Sequence, residues 1–227
     1  MTRRDLLTAA LALPAGPKGP LVDTHIHLFD PERFPYHPNA TYKPPAAPLE
    51  PYSRFVREAG IDHTVIIHPE PYQDDHRYLE YCFAHEPSAR FFKGTCLFDP
   101  IDPKTSPRMA ALVRKHPGRI VGLRIHANNK QLTTSGAIRD RDLRDPAVKA
   151  TWRAAADLGL AIQMHFVPYF APQIGVLAAQ FPAVPVILDH LARAGQGTPA
   201  EFEDVLKLAK HPRVYMKYSA VRYSSKQ

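Results

Sequence analysis

Cysteine is scarce in this chain of 227 residues. There are two, Cys82 and Cys96. They share no C-x-x-C spacing and fall in different expected elements, which argues against a thiolate metal site and leaves them as small buried hydrophobes. No stretch approaches 18 consecutive apolar residues, so no segment reads as a membrane span. Runs of basic residues are also missing. Lys and Arg total 29 against 22 Asp and Glu, giving a net charge of +7 and a pI near 9.4, yet they are dispersed with no helical stripe. That distribution fits mild attraction for anionic small molecules and argues against nucleic acid as a partner.

Proline is plentiful, at 24 residues. The first 20 residues stand apart: Arg3-Arg4, the apolar run Leu6 to Leu13, then the Ala/Pro/Gly-rich stretch Pro14 to Pro20. This resembles a short twin-arginine export signal ahead of one domain over residues 21–227, and the expectation is export to the periplasm.

After Pro20, short β-rich runs alternate with helical patterns, the mark of βαβ units and a parallel sheet. Seven strands are expected, at Leu21 to Thr24, His63 to Ile67, Phe91 to Leu97, Ile120 to Ile125, Ala161 to Met164, Val184 to Leu188 and Val214 to Tyr218. Six helices are expected between them, several with proline in the first turn, and Gly60 and Gly159 stand where helix C-cap glycines belong. Phe29 to Pro48 is a long aperiodic segment after the first strand, read as a lid or binding loop. A second long loop, Ala127 to Asp145, should share its face. The fold class is α/β, a TIM-like (β/α)8 barrel truncated after the seventh strand. Seven strands leave two open edges, which would invite pairing with another chain and a homo-oligomer.

Catalytic groups in such barrels occupy the carboxyl ends of strands. Of the twelve histidines, His25 and His27 end the first strand, His68 the second, His126 the fourth, His165 the fifth and His190 the sixth. A strand repeats every two residues, so His25 and His27 point the same way, toward the barrel axis, while Thr24 and Ile26 point outward. Together with His165 and His190 they form a candidate set of metal ligands. By the same alternation Asp189, next to His190, should face the opposite side.

Val22-Asp23-Thr24-His25-Ile26-His27, Gly122-Leu123-Arg124, His165, Leu188-Asp189-His190 and Met216-Lys217-Tyr218-Ser219 resemble the amidohydrolase superfamily, in particular its amidohydrolase-related group of dicarboxylate lactonases and fuconolactonases. The resemblance covers about 200 residues. It implies a metal-dependent hydrolase with one divalent ion, Zn²⁺ by preference for nitrogen ligands, although some related lactonases work without metal. It also implies a general-base Asp at the end of an eighth strand, and this sequence contains neither that strand nor an equivalent carboxylate. The expected reaction is hydrolysis of a lactone, ester or amide in a small carboxylated substrate. A decarboxylase on the same scaffold and a non-catalytic barrel fragment are the alternatives. Arg124, with its guanidinium fork, is a candidate for gripping a substrate carboxylate, and Lys217 and Arg222 could add positive charge. Tyr36, His37 and Tyr42 in the long loop are candidate pocket residues, with His68 and His126 as further substrate contacts.

Overall fold

The computed structural model describes residues 19–129 and 141–224. The export-like segment lies outside them up to residue 18, as does most of the second long loop, residues 130–140. Seven parallel strands form one sheet in chain order: β1 (Val22–Ile26), β2 (His63–Ile67), β3 (Phe92–Leu97), β4 (Ile120–Ala127), β5 (Ala161–Phe166), β6 (Val186–Leu188) and β7 (Val214–Met216). Each neighbouring pair is joined by a crossover carrying a helix: α1 (Leu49–Glu58), α2 (Arg77–Ala84), α3 (Thr105–Lys115), α4 (Pro146–Asp157), α5 (Ala171–Gln180) and α6 (Pro199–Lys207). The result is a curled, incomplete TIM-like barrel. Among the described residues β1 and β7 remain its unpaired edges, and no helix there is long and apolar enough to cross a membrane.

Local chemistry sets the helix ends. Thr198 and Glu201 form a capping box at the start of α6, with Pro199 in its first turn, and Asp145 accepts from Ala147 N ahead of Pro146 at the start of α4. After α1 and α4 the chain turns through Gly60 (φ +64°) and Gly159 (φ +69°), a left-handed conformation that glycine adopts without steric cost. Helix faces then bury the apolar positions three and four apart, such as Leu49, Tyr52 and Val56 on α1, and Val148, Trp152 and Ala155 on α4. Trp152 is fully buried.

Alternation along the strands divides the side chains between two environments. In β5, Ile162, Met164 and Phe166 join the apolar core, while Gln163 and His165 project to the other face. Register places Arg124 of β4 beside Gln163 and His126 beside His165, so polar groups stack in rungs on the inner surface of the sheet.

The long segment after β1 is closed into a hairpin by reciprocal hydrogen bonds between Phe29 and Ala47, both 2.9 Å. It is pinned to the β2–α2 connection, where Tyr72 Oη accepts from Asp30 N at 2.7 Å and Pro71 O accepts from His37 N at 2.8 Å. Tyr36 donates its hydroxyl to Pro44 O at 2.9 Å and packs its ring on Tyr72, so it braces the loop and ties it to the β2–α2 connection. Tyr42 is exposed, and His37 uses Nδ1 to accept from Asn39 N.

Candidate active site

His25 and His27 lie at the carboxyl end of β1, and their Nε2 atoms are 3.4 Å apart. Two nitrogens held tetrahedrally at about 2.0 to 2.1 Å from one zinc ion stand about 3.3 to 3.4 Å apart, so this spacing suits a shared cation. His27 is oriented by Nδ1, which donates to Ile67 O at 2.8 Å. A carbonyl oxygen only accepts, so the proton of neutral His27 is on Nδ1 and its Nε2 lone pair is free for the site.

Three ligand atoms, from His25, Asp189 and His190, lie within 4.8 Å of one another, the one such cluster among the described residues. The His25 ring is 4.7 Å from that of His190 and 5.0 Å from that of His27. His165 stands one position further round the barrel, 5.6 Å from His190 and 5.2 Å from His126. The four histidines singled out in the sequence therefore form a contiguous arc, with His25 and His190 at its centre and His27 and His165 at its ends.

The inclusion of Asp189 corrects the expectation that it faces away from His190. β6 ends at Leu188, and from His190 to Arg193 the backbone runs through four consecutive residues with φ of +55°, +52°, +54° and +50°. Asp189 is still extended and keeps the strand alternation, on the inner face with Ile187, which pairs with Gln163, while Leu188 pairs with the core residue Met164. The left-handed turn that follows brings His190 to the same site. Non-glycine residues pay roughly 1 to 2 kcal/mol each for this conformation, and surrounding contacts hold it: Leu191 N donates to Lys217 O, Ser224 Oγ donates to His190 O, and His190 Nδ1 is 2.9 Å from Ser219 Oγ.

Asp189 is the electrostatic centre. Arg124 donates to its Oδ2 from Nε and Nη2 at 3.1 and 2.9 Å, and Gln163 Nε2 donates to both oxygens at 2.8 and 2.9 Å. Its Oδ1 is 3.5 Å from His25 Nδ1 and 3.7 Å from Lys217 Nζ. Burial pushes the carboxyl upward, but Arg124, His25 and Lys217 outweigh it and hold Asp189 well below the usual carboxylate range. A carboxylate so engaged is a poor proton acceptor. Burial is also the largest influence on the histidines: it lowers His25, takes His27 and His165 well below the ordinary imidazole value and brings His190 to about 4. At neutral pH these rings are uncharged and able to ligate.

Arg124 is buried against Asp189, and two of its five donors are committed there. Lys217 reaches into the site from the end of β7, whereas Arg222 is exposed on the turn Val221–Tyr223. His68 is buried, with Nε2 bonded to Gln73 O at 3.0 Å and its ring 4.3 Å from that of His76, inside the β2–α2 connection. His126 is buried beside His165. Sequence reasoning passed over Gln163 and Arg193. Gln163 precedes His165 by one strand repeat, a spacing that places it on the same face. Arg193, bonded to Asn128 and Gln196, follows His190 by three residues, and only the left-handed turn brings it to this end of the sheet.

A family model described as amidohydrolase matches residues 22–227, nearly the whole described chain. The chain belongs to the amidohydrolase family. The 4-sulfomuconolactone hydrolase of Hydrogenophaga intermedia is 26% identical over 200 residues, an alignment that takes in 86% of this chain and 61% of that protein, so the chain spans about three fifths of its relative's length. Among solved structures, a probable 2-pyrone-4,6-dicarboxylic acid hydrolase from Acinetobacter baumannii, with citric acid bound, superposes with a TM-score of 0.73 at 19% identity, covering 91% of this chain and 73% of the other. An amidohydrolase from Burkholderia multivorans with bound zinc gives a TM-score of 0.65 at 14% identity, covering 92% and 72%. At these identities the structural likeness speaks for the fold.

Proposed function

We propose that this amidohydrolase-family chain hydrolyses a lactone or ester bond in a small carboxylated substrate. The observation that carries the reading is the arc of neutral imidazoles from His27 to His165, set at the carboxyl ends of β1, β5 and β6 around a buried site with excess positive charge. Arg124 and Lys217 supply two positive charges and Asp189 one negative, a balance of +1 with the histidines neutral. A partly buried cation excess of this kind attracts an anionic substrate and stabilises negative charge developing on a carbonyl oxygen. The sulfomuconolactone and pyrone-dicarboxylic acid in the names of the two relatives are of matching chemical class.

His25, Asp189 and His190 bring ligand atoms within 4.8 Å of one another and His27 adds an Nε2 3.4 Å from that of His25, a donor set that suits a single divalent ion such as zinc. When bound, the ion would act as a Lewis acid toward the scissile carbonyl and activate water. The chain's own residues do the remaining work. Gln163 and Arg124 hold Asp189 ionised and fixed, Lys217 adds charge beside His25, and Arg193 offers a further cation near His165. His165 faces the same region, beside His190 and His126.

The test is a panel of carboxylated lactones and aromatic carboxylates, with acid release and CO₂ followed together, in the presence and absence of Zn²⁺. Acid release without CO₂ supports hydrolysis. CO₂ release would transfer the reading to decarboxylation, and no turnover of any member would leave a binding role. The Arg3-Arg4 segment is proposed as an export signal, and cell fractionation of the chain with both arginines changed to lysine checks it: unchanged periplasmic delivery would refute it.

A further inference from the structure

The His25–His27 pair lies within a chain of hydrogen bonds that runs between an ammonium donor and a carbonyl acceptor. At one end Ile67 O accepts from His27 Nδ1, which leaves the His27 Nε2 without a proton. At the other end the Lys217 ammonium, which can only donate, lies 3.2 Å from His25 Nδ1 and 3.0 Å from Thr24 O. The same nitrogen also faces Asp189 Oδ1, an acceptor, at the longer distance of 3.5 Å. The nearer Lys217 donor and the bare His27 Nε2, 3.4 Å from His25 Nε2, together favour Nδ1 of neutral His25 as the acceptor with its proton on Nε2. The order is Lys217 to His25 to His27 to Ile67 O.

This order has a consequence for a cation at the pair. His27 presents an open Nε2, but the Nε2 of His25 carries a proton between the two nitrogens. For both Nε2 atoms to bind one ion, the His25 proton must pass to Nδ1, facing Asp189 Oδ1 at 3.5 Å, and the Lys217 ammonium must withdraw from that nitrogen. No change in total proton count is involved, because both forms of the ring are neutral.

Lys217 comes from the end of β7, and its ammonium bonds a carbonyl of β1, that of Thr24, at 3.0 Å. The same side chain thus staples β7 to β1 and governs His25.

We infer that Lys217 is a positioning residue that holds His25 in its Nε2–H form and thereby opposes metal uptake by the His25–His27 pair. The inference rests on the metal-site part of the proposed function and is independent of the reaction. In the metal-free wild-type chain, nitrogen-15 shifts of the imidazoles should report His25 as Nε2–H. Lys217→Met should shift it toward Nδ1–H and bind Co²⁺, followed by its visible absorption, at least tenfold more tightly than wild type. Lys217→Arg, which keeps a donor, should stay near the wild-type affinity. An Nδ1–H form of His25 in the wild type, or no tightening in Lys217→Met, including absence of Co²⁺ binding by both proteins, would overturn it. Should Lys217→Met fail to fold, Lys217→Gln carries the affinity comparison and the wild-type shifts still decide. Lactone hydrolysis is assayed separately, so loss of the hydrolase reading leaves this result standing.

Discussion

Arg124 on β4 and Asp189 beyond β6 meet through two donors on one carboxylate oxygen, at 3.1 and 2.9 Å, with side chains 4% and 0% exposed. Sequence reading offered Arg124 as a clamp for substrate, and its present partner is internal. Removing one member of such a pair leaves a buried uncompensated charge, an effect of about 3 to 5 kcal/mol, whereas an apolar replacement of both is far milder. Asp189→Asn should therefore lower the unfolding free energy by about 3 kcal/mol or more. The double change Arg124→Met with Asp189→Leu should recover most of it. Urea unfolding of the three proteins checks this, and equal losses in the single and double variants would show that packing, and not charge, is the source.

Acid should weaken the fold before most carboxylates titrate. His68 is 1% exposed and burial brings it to about 4 in the folded chain, against about 6.5 in the unfolded one. Its folded value is depressed, so the associated stability is complete above about pH 6.5 and is lost as pH falls toward 4, because the unfolded chain takes up the proton first. The gap corresponds to about 3 kcal/mol for this residue. Asp189 acts lower, between the ordinary carboxylate value and its own depressed one. Unfolding free energy measured from pH 8 to pH 4 should therefore fall below about pH 6.5, and His68→Gln should flatten that slope. An unchanged slope would assign the effect to the other buried imidazoles.

The fold was legible because each strand carries its own apolar alternation and each helix its own spacing, with side-chain caps marking the starts of α4 and α6. His63–Ile67 matches its expected bounds residue for residue. The site was legible only where it obeys the strand repeat. His25, His27 and His165 follow that repeat, as do Arg124 and Gln163, so their common face could be read from spacing. His190 does not: Asp189 holds the inner position of the alternation, and only the left-handed turn at His190 to Arg193 turns His190 in beside it. Assigning His190 to the inner face therefore put Asp189 on the wrong one, and nothing in Leu191 or Ala192 advertises positive φ. The contact of Lys217 with Thr24 and His25 joins residues more than 190 positions apart and depends on how far the sheet curls, which no local pattern encodes.

Ala220 provides a direct measure of backbone strain near the site. It is exposed and sits at φ +49°, ψ +44°, so replacing it by glycine removes a steric cost without removing a buried methyl. Ala220→Gly should raise stability by roughly 1 kcal/mol after allowance for the freer unfolded chain. A higher urea midpoint at unchanged slope is the expected result. A lower midpoint would mean that the adjoining turn at Val221–Tyr223 depends on the alanine side chain.

Single substitutions can rank the histidines as ligands, because the arc gives them unequal positions. His25 touches both His27 and His190, and its ligand atoms group with those of Asp189 and His190, whereas the ring of His165 is nearer to that of His126 than to that of His190. A ligand contributes far more to affinity than a neighbour that only orients it, for which the loss is about 10 to 100-fold. His25→Ala, His27→Ala and His190→Ala should each weaken Co²⁺ binding by more than about 100-fold, and His165→Ala by less than about tenfold. The comparison is made by competitive chelator titration on proteins shown to be folded by circular dichroism. If His165→Ala matches the other three, the site has contracted around the ion and His165 supplies the fourth nitrogen, in which case Asp189 is left to Arg124 and Gln163. If it does not, Asp189 is the remaining candidate for that position, and metal binding should then compete with the Arg124 ion pair and weaken further as Asp189 is changed to Asn.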